Sequence, residues 1–326
     1  MNAKSVEEAV FWLNKYPEKS KAIAGGTDLL GLMKDRVEGP ELTTPEVLVN
    51  IKSIPRLNHI AYKEKEGLKI GAAVTLDRLG QFVAARSKFV VLSEAARQVG
   101  TPQIRNMGTV GGNVCQRPQC MYFRHPHFSC FKKGGTKCYA VAGEHRHYHS
   151  ILKHGICVMA HPSDMAPALT ALKAKAIIAS PKGEKQVALE EFFVGPNNHT
   201  ETVMKPNELL TEFEVPHQKE KCLQLFLKRR IRHTSDFALC SVATVAQMSK
   251  GTCEDIRIVL GGVAPFPYIV FKAEEMIRGK ELDDSLIYDA AEASVEEARP
   301  LPMNQYKTEL TKAMITRALT SIRNTA

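Results

Sequence analysis

Two glycine-rich segments are the first features of this sequence with the residue types and spacing to do chemistry. Gly25-Gly26-Thr27-Asp28 stands between a short apolar run and a helical pattern, and Gly108-Thr109-Val110-Gly111-Gly112-Asn113 is a second run of small residues. Glycines let a backbone approach an anion closely enough for its N–H groups to donate to it. One such segment is more often a plain turn, but two in one chain favour a pyrophosphate site. Neither segment matches the dinucleotide fingerprint or the P-loop.

The cysteines are the second feature. Five of the eight lie between Cys115 and Cys157, whereas Cys222, Cys240 and Cys253 are isolated in apolar, strand-like stretches and are expected to be core thiols. Clustered cysteines in a chain with no export signal indicate metal ligands rather than disulfides. Thiolates suit iron, and a four-iron cluster needs four of them.

Two alternatives to an iron-sulfur cluster stay open. One is a zinc site of thiolates, or of mixed Cys and His ligands, and the other is a set of unliganded thiols. The nearby histidines are expected to form hydrogen bonds within the loop rather than to bind a metal, and they are His125, His127, His145, His147 and His149.

Composition limits the class of protein. The 326 residues, 44% hydrophobic and 24% charged, are enough for two domains with buried cores. A net charge of +9 favours anionic ligands or acidic partners. The basic run from Lys228 to His233 fits a solvated face equally well, and a single Trp and no basic stripe argue against nucleic acid. No signal peptide or membrane span is visible, so we expect a cytoplasmic protein, or a periplasmic one if a partner carries the signal.

Sequence periodicity predicts the elements that hold the first glycine segment. Ser5-Val6-Glu7-Glu8 is a capping box, and apolar residues recur at helical spacing as far as Leu13. A strand at Ala22-Ile23-Ala24 leads into the glycines, and Leu29 to Met33 predicts a helix after them. A second buried strand is expected from Val47 to Ile51. The unit is therefore a small α/β lobe.

Further along, a strand from Leu68 to Val74 is followed by Thr75, a plausible helix cap, and by helical patterns as far as Val99. Residues 100–162 are rich in Gly, Pro, Cys and His, which predicts a functional loop held by ligands rather than by core packing. Beyond this loop, the predicted elements are a helix capped by Ser163-Asp164, strands at 174–179 and 209–215, a turn at 181–183, three strand-like stretches at 223–228, 237–248 and 256–260, and three helices from about residue 270.

Four segments together resemble a known family. Ile23 to Leu29 and Arg105 to Asn113 are similar to the two FAD pyrophosphate motifs of the flavin subunits of xanthine dehydrogenase and carbon monoxide dehydrogenase. Ser163-Asp164-Met165-Ala166-Pro167-Ala168-Leu169 is similar to the third flavin-contacting segment, and Gly261-Gly262-Val263-Ala264-Pro265 resembles the signature of the C-terminal domain. The resemblance spans nearly the whole chain.

The resemblance implies an α+β fold: a two-lobed, vanillyl-alcohol-oxidase-like (PCMH-type) FAD-binding domain over residues 1–216, with lobes at about 1–55 and 56–216, then a flavoprotein C-terminal domain at 217–326. It also implies that Asp164 holds a ribose or ribityl hydroxyl and that Lys228 lies near the flavin. The implied FAD-contacting residues are Ala24, Gly25, Gly26, Thr27, Asp28, Leu29, Arg105, Gly108, Thr109, Gly111, Gly112, Asn113, Asp164 and Lys228.

The cysteine insertion, about residues 114–160, resembles that of subgroups with an extra 4Fe-4S cluster, the aldehyde oxidoreductases and 4-hydroxybenzoyl-CoA reductases. Their pattern implies Cys120, Cys130, Cys138 and Cys157 as ligands, with Cys115 as the spare. The spacings between these four lack the paired Cys-x-x-Cys common in structural zinc sites, which favours the cluster.

The family resemblance implies an electron-transfer subunit that has no substrate pocket of its own. Its partners would be a large subunit with the molybdenum cofactor and a small subunit with 2Fe-2S clusters, in a heterotrimer or its dimer, together with an external electron acceptor or donor. A reductase with reversed electron flow, a self-contained FAD oxidase and a zinc-stabilised binding module are the alternatives.

Overall fold

A two-stranded parallel sheet holds the first glycine segment. The computed structural model describes residues 1–233 and 235–326. Helix α1 (Val6–Lys15) begins after Ser5, whose hydroxyl accepts from the N–H of Glu8 at 3.1 Å. Strand β1 (Ser20–Ile23) pairs with β2 (Val47–Asn50), and helix α2 (Leu29–Lys34) follows the glycines. The predicted strand, turn and helix are therefore present.

A five-stranded antiparallel sheet forms the next layer, in the order β3-β4-β7-β5-β6. Its strands are β3 (Ile60–Lys63), β4 (Gly67–Gly71), β5 (Lys175–Ser180), β6 (Gly183–Ala188) and β7 (Leu209–Val215). Strands β4, β5 and β7 were predicted, whereas β3 and β6 were missed. Strand β6 is a largely exposed edge strand, so selection for burial has not given it an alternating apolar pattern.

Helices cover this sheet. Helices α3 (Leu76–Gln81), α4 (Val83–Lys88) and α5 (Val90–Gln98) follow β4, and Thr75 caps the first of them as predicted. Three short helices then carry the second glycine segment and the start of the cysteine insertion: α6 (Pro102–Met107), α7 (Val110–Val114) and α8 (Met121–Arg124).

The cysteine insertion has an apolar core of its own, which corrects the expectation that only ligands hold it. Tyr122, Phe123 and Val158 are buried together with Leu32 and Val37 of the first lobe. Period-based analysis missed this core because its members lie in one-turn helices and loops, where apolar residues have no regular spacing. Core packing therefore contributes to holding the insertion in place.

The C-terminal part is an antiparallel sheet covered by helices. Strands β8 (Cys222–Arg229), β9 (Cys240–Ser249), β10 (Thr252–Gly261) and β11 (Tyr268–Ile269) are neighbours in that order, and β12 (Lys280–Glu281) pairs with β10. Helices α10 (Phe271–Ile277), α11 (Asp284–Ala293) and α12 (Tyr306–Thr325) are the three predicted from the sequence. Helix α9 (Met165–Ala171) lies between the layers and contacts β9 and β10.

Strand β9 begins at Cys240, three residues later than the predicted strand. Phe226, Ala243 and Val259 of this sheet belong to the same buried cluster as the helices and strands of the preceding layer. None of the described helices is long and apolar enough to cross a bilayer.

Candidate functional site

The two glycine segments, the Ser-Asp segment and strand β8 meet at one cleft of about 800 Å³, a volume that includes the part open to solvent. Eight of the fourteen residues predicted to contact FAD line it: Thr27, Asp28, Gly108, Thr109, Gly112, Asn113, Asp164 and Lys228. They come from positions up to 201 residues apart in the sequence, so the fold alone brings them together.

The two glycine segments touch each other. A Cβ atom on Gly25 would lie 2.2 Å from the carbonyl oxygen of Met107, so no other residue fits there without moving the loops apart. The second segment is anchored to the residues that follow strand β4, because Val110 N donates to Val74 O and Gly111 N donates to Ala72 O, both at 2.9 Å. Gly111 therefore supports the cleft without lining it.

The Ser-Asp segment is held against the second glycine segment by an amide. The Asn113 side-chain oxygen accepts from the Ser163 hydroxyl at 2.7 Å and from Met165 N at 3.2 Å. The Ser163 hydroxyl in turn accepts from Ala166 N at 2.9 Å, so Ser163, and not Asp164, caps helix α9. This corrects the expectation that Asp164 shares in the cap and leaves its carboxylate free for another role.

Asp164 and Lys228 form a buried ion pair at the cleft. The Lys228 Nζ lies 2.5 Å from Asp164 Oδ2, and both side chains are at most 3% exposed. Burial raises the pKa of Asp164, while the Lys228 ammonium acts in the opposite direction. The other carboxylate oxygen, Oδ1, is buried and has no hydrogen-bond partner in the described part of the chain. One oxygen of Asp164 therefore remains able to accept a hydrogen bond.

Six of the predicted FAD-contacting residues do not line the cleft: Ala24, Gly25, Gly26, Leu29, Arg105 and Gly111. The Arg105 guanidinium donates to Val99 O at 3.0 Å and to Gly100 O at 3.3 Å, so it closes the turn before helix α6. The structure therefore gives Arg105 a contact with the backbone of its own chain.

Sequence analysis missed several cleft residues, among them Gln116, Gln119, Ser235, Asp236 and Phe237. Three of these lie in the loop between β8 and β9, and of them only Phe237 fell within a predicted strand. The polar and charged stretch from Arg229 to Asp236, between two apolar runs, was the available signal, although residue 234 itself is outside the described ranges.

Asp28 connects the first glycine segment to the cysteine insertion. Its Oδ1 lies 2.5 Å from the Arg124 guanidinium, and its Oδ2 accepts from Arg117 N at 2.9 Å. The Arg117 guanidinium also lies 2.8 Å from Glu201, which pairs at 3.2 Å with Lys132. A chain of charges therefore runs from the cleft into the insertion.

The four predicted metal-binding cysteines surround a second cavity. Cys120, Cys130, Cys138 and Cys157 all line a space of about 280 Å³, a volume that includes the part open to solvent, together with Pro118, Tyr122, Phe123, Phe131, Lys132, Tyr139 and Met159. The closeness of the Cys157 thiol lowers the pKa of Cys138 to about 6. Burial raises the pKa of Cys120 to about 12.

Cys115 stands apart from these four. It packs against the main apolar core and does not line the cysteine cavity, and burial raises the pKa of its thiol to about 12. Among the described residues, no group of three or more His, Cys, Asp or Glu side chains meets the geometry of a single-ion metal site.

One histidine of the insertion contacts a cavity cysteine. His149 Nε2 lies 3.3 Å from Cys120 Sγ. Burial, with the nearby Lys307 charge, lowers the pKa of His149 to about 4. His145 is bonded instead to Ala140 O and to Met303 N, as expected of a loop hydrogen-bonding group.

Residues 1–218 match the sequence model of the FAD binding domain in molybdopterin dehydrogenase, and residues 226–322 match that of the CO dehydrogenase flavoprotein C-terminal domain. Together the two matches cover nearly the whole chain.

Individual relatives agree with these matches. The FAD-binding subunit of an Escherichia coli K12 aldehyde oxidoreductase is 32% identical over 309 residues, 93% of this chain and 92% of that one. The carbon monoxide dehydrogenase medium chain of Hydrogenophaga pseudoflava is 28% identical and aligns with 97% of this chain and 93% of its own. A solved carbon monoxide dehydrogenase from the same organism superposes with a TM-score of 0.78 at 27% identity, covering 99% of this chain and 96% of that chain.

Proposed function

The chain belongs to the FAD-binding medium subunits of the molybdenum hydroxylase family, and we propose that it serves an oxidoreductase complex of the aldehyde oxidoreductase type, with its own 4Fe-4S cluster beside the flavin. The family places it in a multi-subunit complex in which it transfers electrons. The observation that carries the finer proposal is the pairing of two cavities: a glycine-walled cleft and a cavity enclosed by four cysteines, joined by the Asp28 contacts.

The residues of the cleft fit FAD. Gly108 and Gly112 line the cleft without side chains, so a ligand can approach the backbone there, and such a cradle at the start of a helix suits a pyrophosphate. The free Oδ1 of Asp164 suits a sugar or ribityl hydroxyl, since a carboxylate oxygen only accepts. The basic Lys228 keeps that carboxylate paired where water is excluded.

When bound, FAD supplies a junction between one-electron carriers and one- or two-electron acceptors. The chain's own contribution is to bind and orient it. Asn113 fixes the Ser163-Asp164 segment against the second glycine segment, and Asp28 keeps the first segment in register with the insertion. Rigid contacts of this kind hold two redox groups at a constant separation.

The second cavity fits an iron-sulfur cluster through its donors. It offers four cysteine sulfurs and an otherwise largely aromatic and apolar wall, and a cubane cluster takes four thiolates. Zinc is the alternative, and it requires four ligands at about 2.1 to 2.3 Å from a single point. In a cluster each thiolate binds a different iron, and among the described residues no group has the geometry of a single-ion site. We therefore propose Cys120, Cys130, Cys138 and Cys157 as cluster ligands.

The proposed partners are a large subunit with the molybdenum cofactor and a small subunit with 2Fe-2S clusters. Support comes from the names of the relatives, which describe them as a FAD-binding subunit and a medium chain. Leu30 and Met107 also expose about half of their apolar surface beside the glycine segments, which is the kind of surface that a partner covers.

The test is anaerobic purification of the complex, followed by an absorbance spectrum and by flavin, iron and sulfide assays of this subunit. One FAD and four irons per chain are expected. In Cys130→Ser we expect the iron of this cluster to be lost and the FAD retained, because Cys130 lines the second cavity and not the cleft.

Cys115→Ser is the matched control, since Cys115 lies in the same insertion but outside the cavity, and it should keep the full iron content. Bound zinc in place of iron would contradict the cluster, and a flavin-free complex would contradict the whole proposal. A purified single chain that oxidises an alcohol with oxygen would instead favour a self-contained oxidase.

A further inference from the structure

His149 is placed against the sulfur of a proposed cluster ligand. Its Nε2 lies 3.3 Å from Cys120 Sγ, and both residues are buried, so water does not compete for either atom. Among the side-chain hydrogen bonds of the described residues, this is the contact between a histidine and one of the four cavity cysteines. Neither residue of this contact lines the FAD cleft.

The chemistry of the two partners assigns the direction of the bond. A thiolate bound to iron carries no proton and can only accept. The other ring nitrogen of His149, Nδ1, is buried without a partner in the described part of the chain. A neutral imidazole has one N–H, and only a proton on Nε2 avoids placing a lone pair against the sulfur. The ring then forms an N–H···S bond.

Hydrogen bonds hold the backbone that carries the His149 imidazole. The backbone carbonyl of His149 accepts from the buried Lys307 Nζ at 2.8 Å and from the Asn304 amide at 3.4 Å. The next residue, Ser150, donates from its N–H to Val158 O at 2.9 Å, beside the ligand Cys157. Residues near the start of the last helix therefore hold the backbone of His149, and the next residue is held against the segment that follows Cys157.

We propose that His149 is a positioning residue that donates from Nε2 to the Cys120 sulfur and thereby raises the reduction potential of the cluster. This inference rests on the proposed 4Fe-4S cluster. Reduction adds negative charge that is shared by the sulfurs, and a fixed donor stabilises the reduced form more than the oxidised form. The consequence is a cluster that accepts an electron more readily than the same cysteines would allow alone.

The experiment is a redox titration of the purified complex at fixed pH, monitored by electron paramagnetic resonance of the reduced cluster. His149→Leu removes the donor, whereas His149→Gln keeps an N–H near the position of Nε2. At the wild-type midpoint we expect the ratio of reduced to oxidised cluster to fall about threefold to tenfold in His149→Leu, or about 30 to 60 mV at 59 mV per tenfold. His149→Gln should recover most of this shift.

His147→Leu is the matched control, because His147 lies two residues away and has no bond to a cysteine among the described contacts. Its potential should equal that of the wild type. Equal potentials in His149→Leu and the wild type, with four irons in each, would overturn the inference and leave the cluster standing. A wild-type complex without iron would overturn the cluster itself.

A second measurement serves if His149→Leu does not assemble. In wild-type complex labelled with ¹⁵N-histidine, pulsed paramagnetic resonance should detect a histidine nitrogen coupled to the reduced cluster. The coupling should vanish in His149→Gln, whose donor is unlabelled. A coupling that persists in His149→Gln, or is absent from the wild type, would contradict the N–H···S bond.

Discussion

At the scale of single residues, the site depends on how buried charge is paired. Asp164 and Lys228 are more than 60 positions apart, and each would be costly to bury alone. As a pair they leave one carboxylate oxygen free beside the cleft. Stability and cofactor binding therefore use different atoms of the same side chain.

Asp164→Asn tests this division. The substitution leaves the Lys228 ammonium buried without a counter-charge, so we expect a loss of about 3–5 kcal/mol in the free energy of unfolding, together with a lower FAD content. In the double variant Asp164→Leu with Lys228→Met, most of the stability should return while the FAD content stays low. Thermal unfolding and flavin absorbance per chain measure the two effects.

The control is Glu296→Gln, which breaks the ion pair with Lys272 on the surface. Both partners are 59% exposed, so the cost should stay below about 1 kcal/mol. A double variant as unstable as Asp164→Asn would show that the charge pair is not the source of the loss.

At the scale of elements, the cleft is made by contact between two loops that precede short helices. The loops touch backbone to backbone at Gly25 and Met107, and this contact sets the width of the cradle. The second loop rests in turn on residues 72–74 after strand β4. The end of strand β4 therefore helps to fix the position of the cofactor site.

Gly25→Ala should open this contact. A methyl group 2.2 Å from the Met107 carbonyl must push the loops apart, and we expect FAD to bind at least about tenfold more weakly, which is about 1.4 kcal/mol. Equilibrium dialysis of FAD with the reconstituted complex gives the affinity.

Gly31→Ala is the matched control six positions later. Nothing lies within 4 Å of a Cβ there, and Gly31 is inside helix α2, so alanine should raise stability by about 0.5–1 kcal/mol and leave FAD binding unchanged. Equal FAD affinity in the Gly25 and Gly31 variants would mean that the loop contact does not shape the site.

At the scale of the whole molecule, buried polar contacts join segments that are far apart in the chain. Lys307 at the start of helix α12 donates to His147 O, His149 O and Gly262 O at 2.6 to 3.1 Å. One side chain therefore connects the cysteine insertion, the C-terminal signature and the last helix. The C-terminal sheet is also joined to the preceding layer, because its residues Phe226, Ala243 and Val259 belong to the same buried cluster as that layer.

The Lys307 contact predicts a pH dependence of stability. Burial lowers the pKa of Lys307 from 10.5 to about 7 in the folded chain. Between these values the unfolded chain holds a proton that the folded chain does not, so this group makes the free energy of unfolding fall as the pH falls toward 7. The expected slope is up to about 1.4 kcal/mol per pH unit.

Lys307→Met should remove this part of the slope, and thermal unfolding from pH 7 to pH 10 measures it. Lys182→Met, in the exposed turn between β5 and β6, should follow the wild-type profile. The assignment fails if Lys307→Met and the wild type respond to pH in parallel.

The sequence by itself determined the local elements and the chemistry of the motifs. Capping residues and apolar periodicity sufficed for helix α1, strands β4, β5 and β7 and the three C-terminal helices, because each depends on neighbours in the chain. The glycine runs and the four cysteines were likewise visible as residue types. Exposed edge strand β6 and the small core of the insertion left no periodic signal.

Only the tertiary structure decided which residues meet. It paired Asp164 with Lys228, turned Arg105 toward carbonyls at 99–100, joined Asp28 to the insertion and set His149 against Cys120. Apart from the turn at Arg105, each of these contacts joins segments that are far apart in the sequence. Their separation in the sequence does not indicate how close they are in space. The direction of each of these side chains is set by packing between the layers of the fold, and a linear sequence pattern does not contain that information.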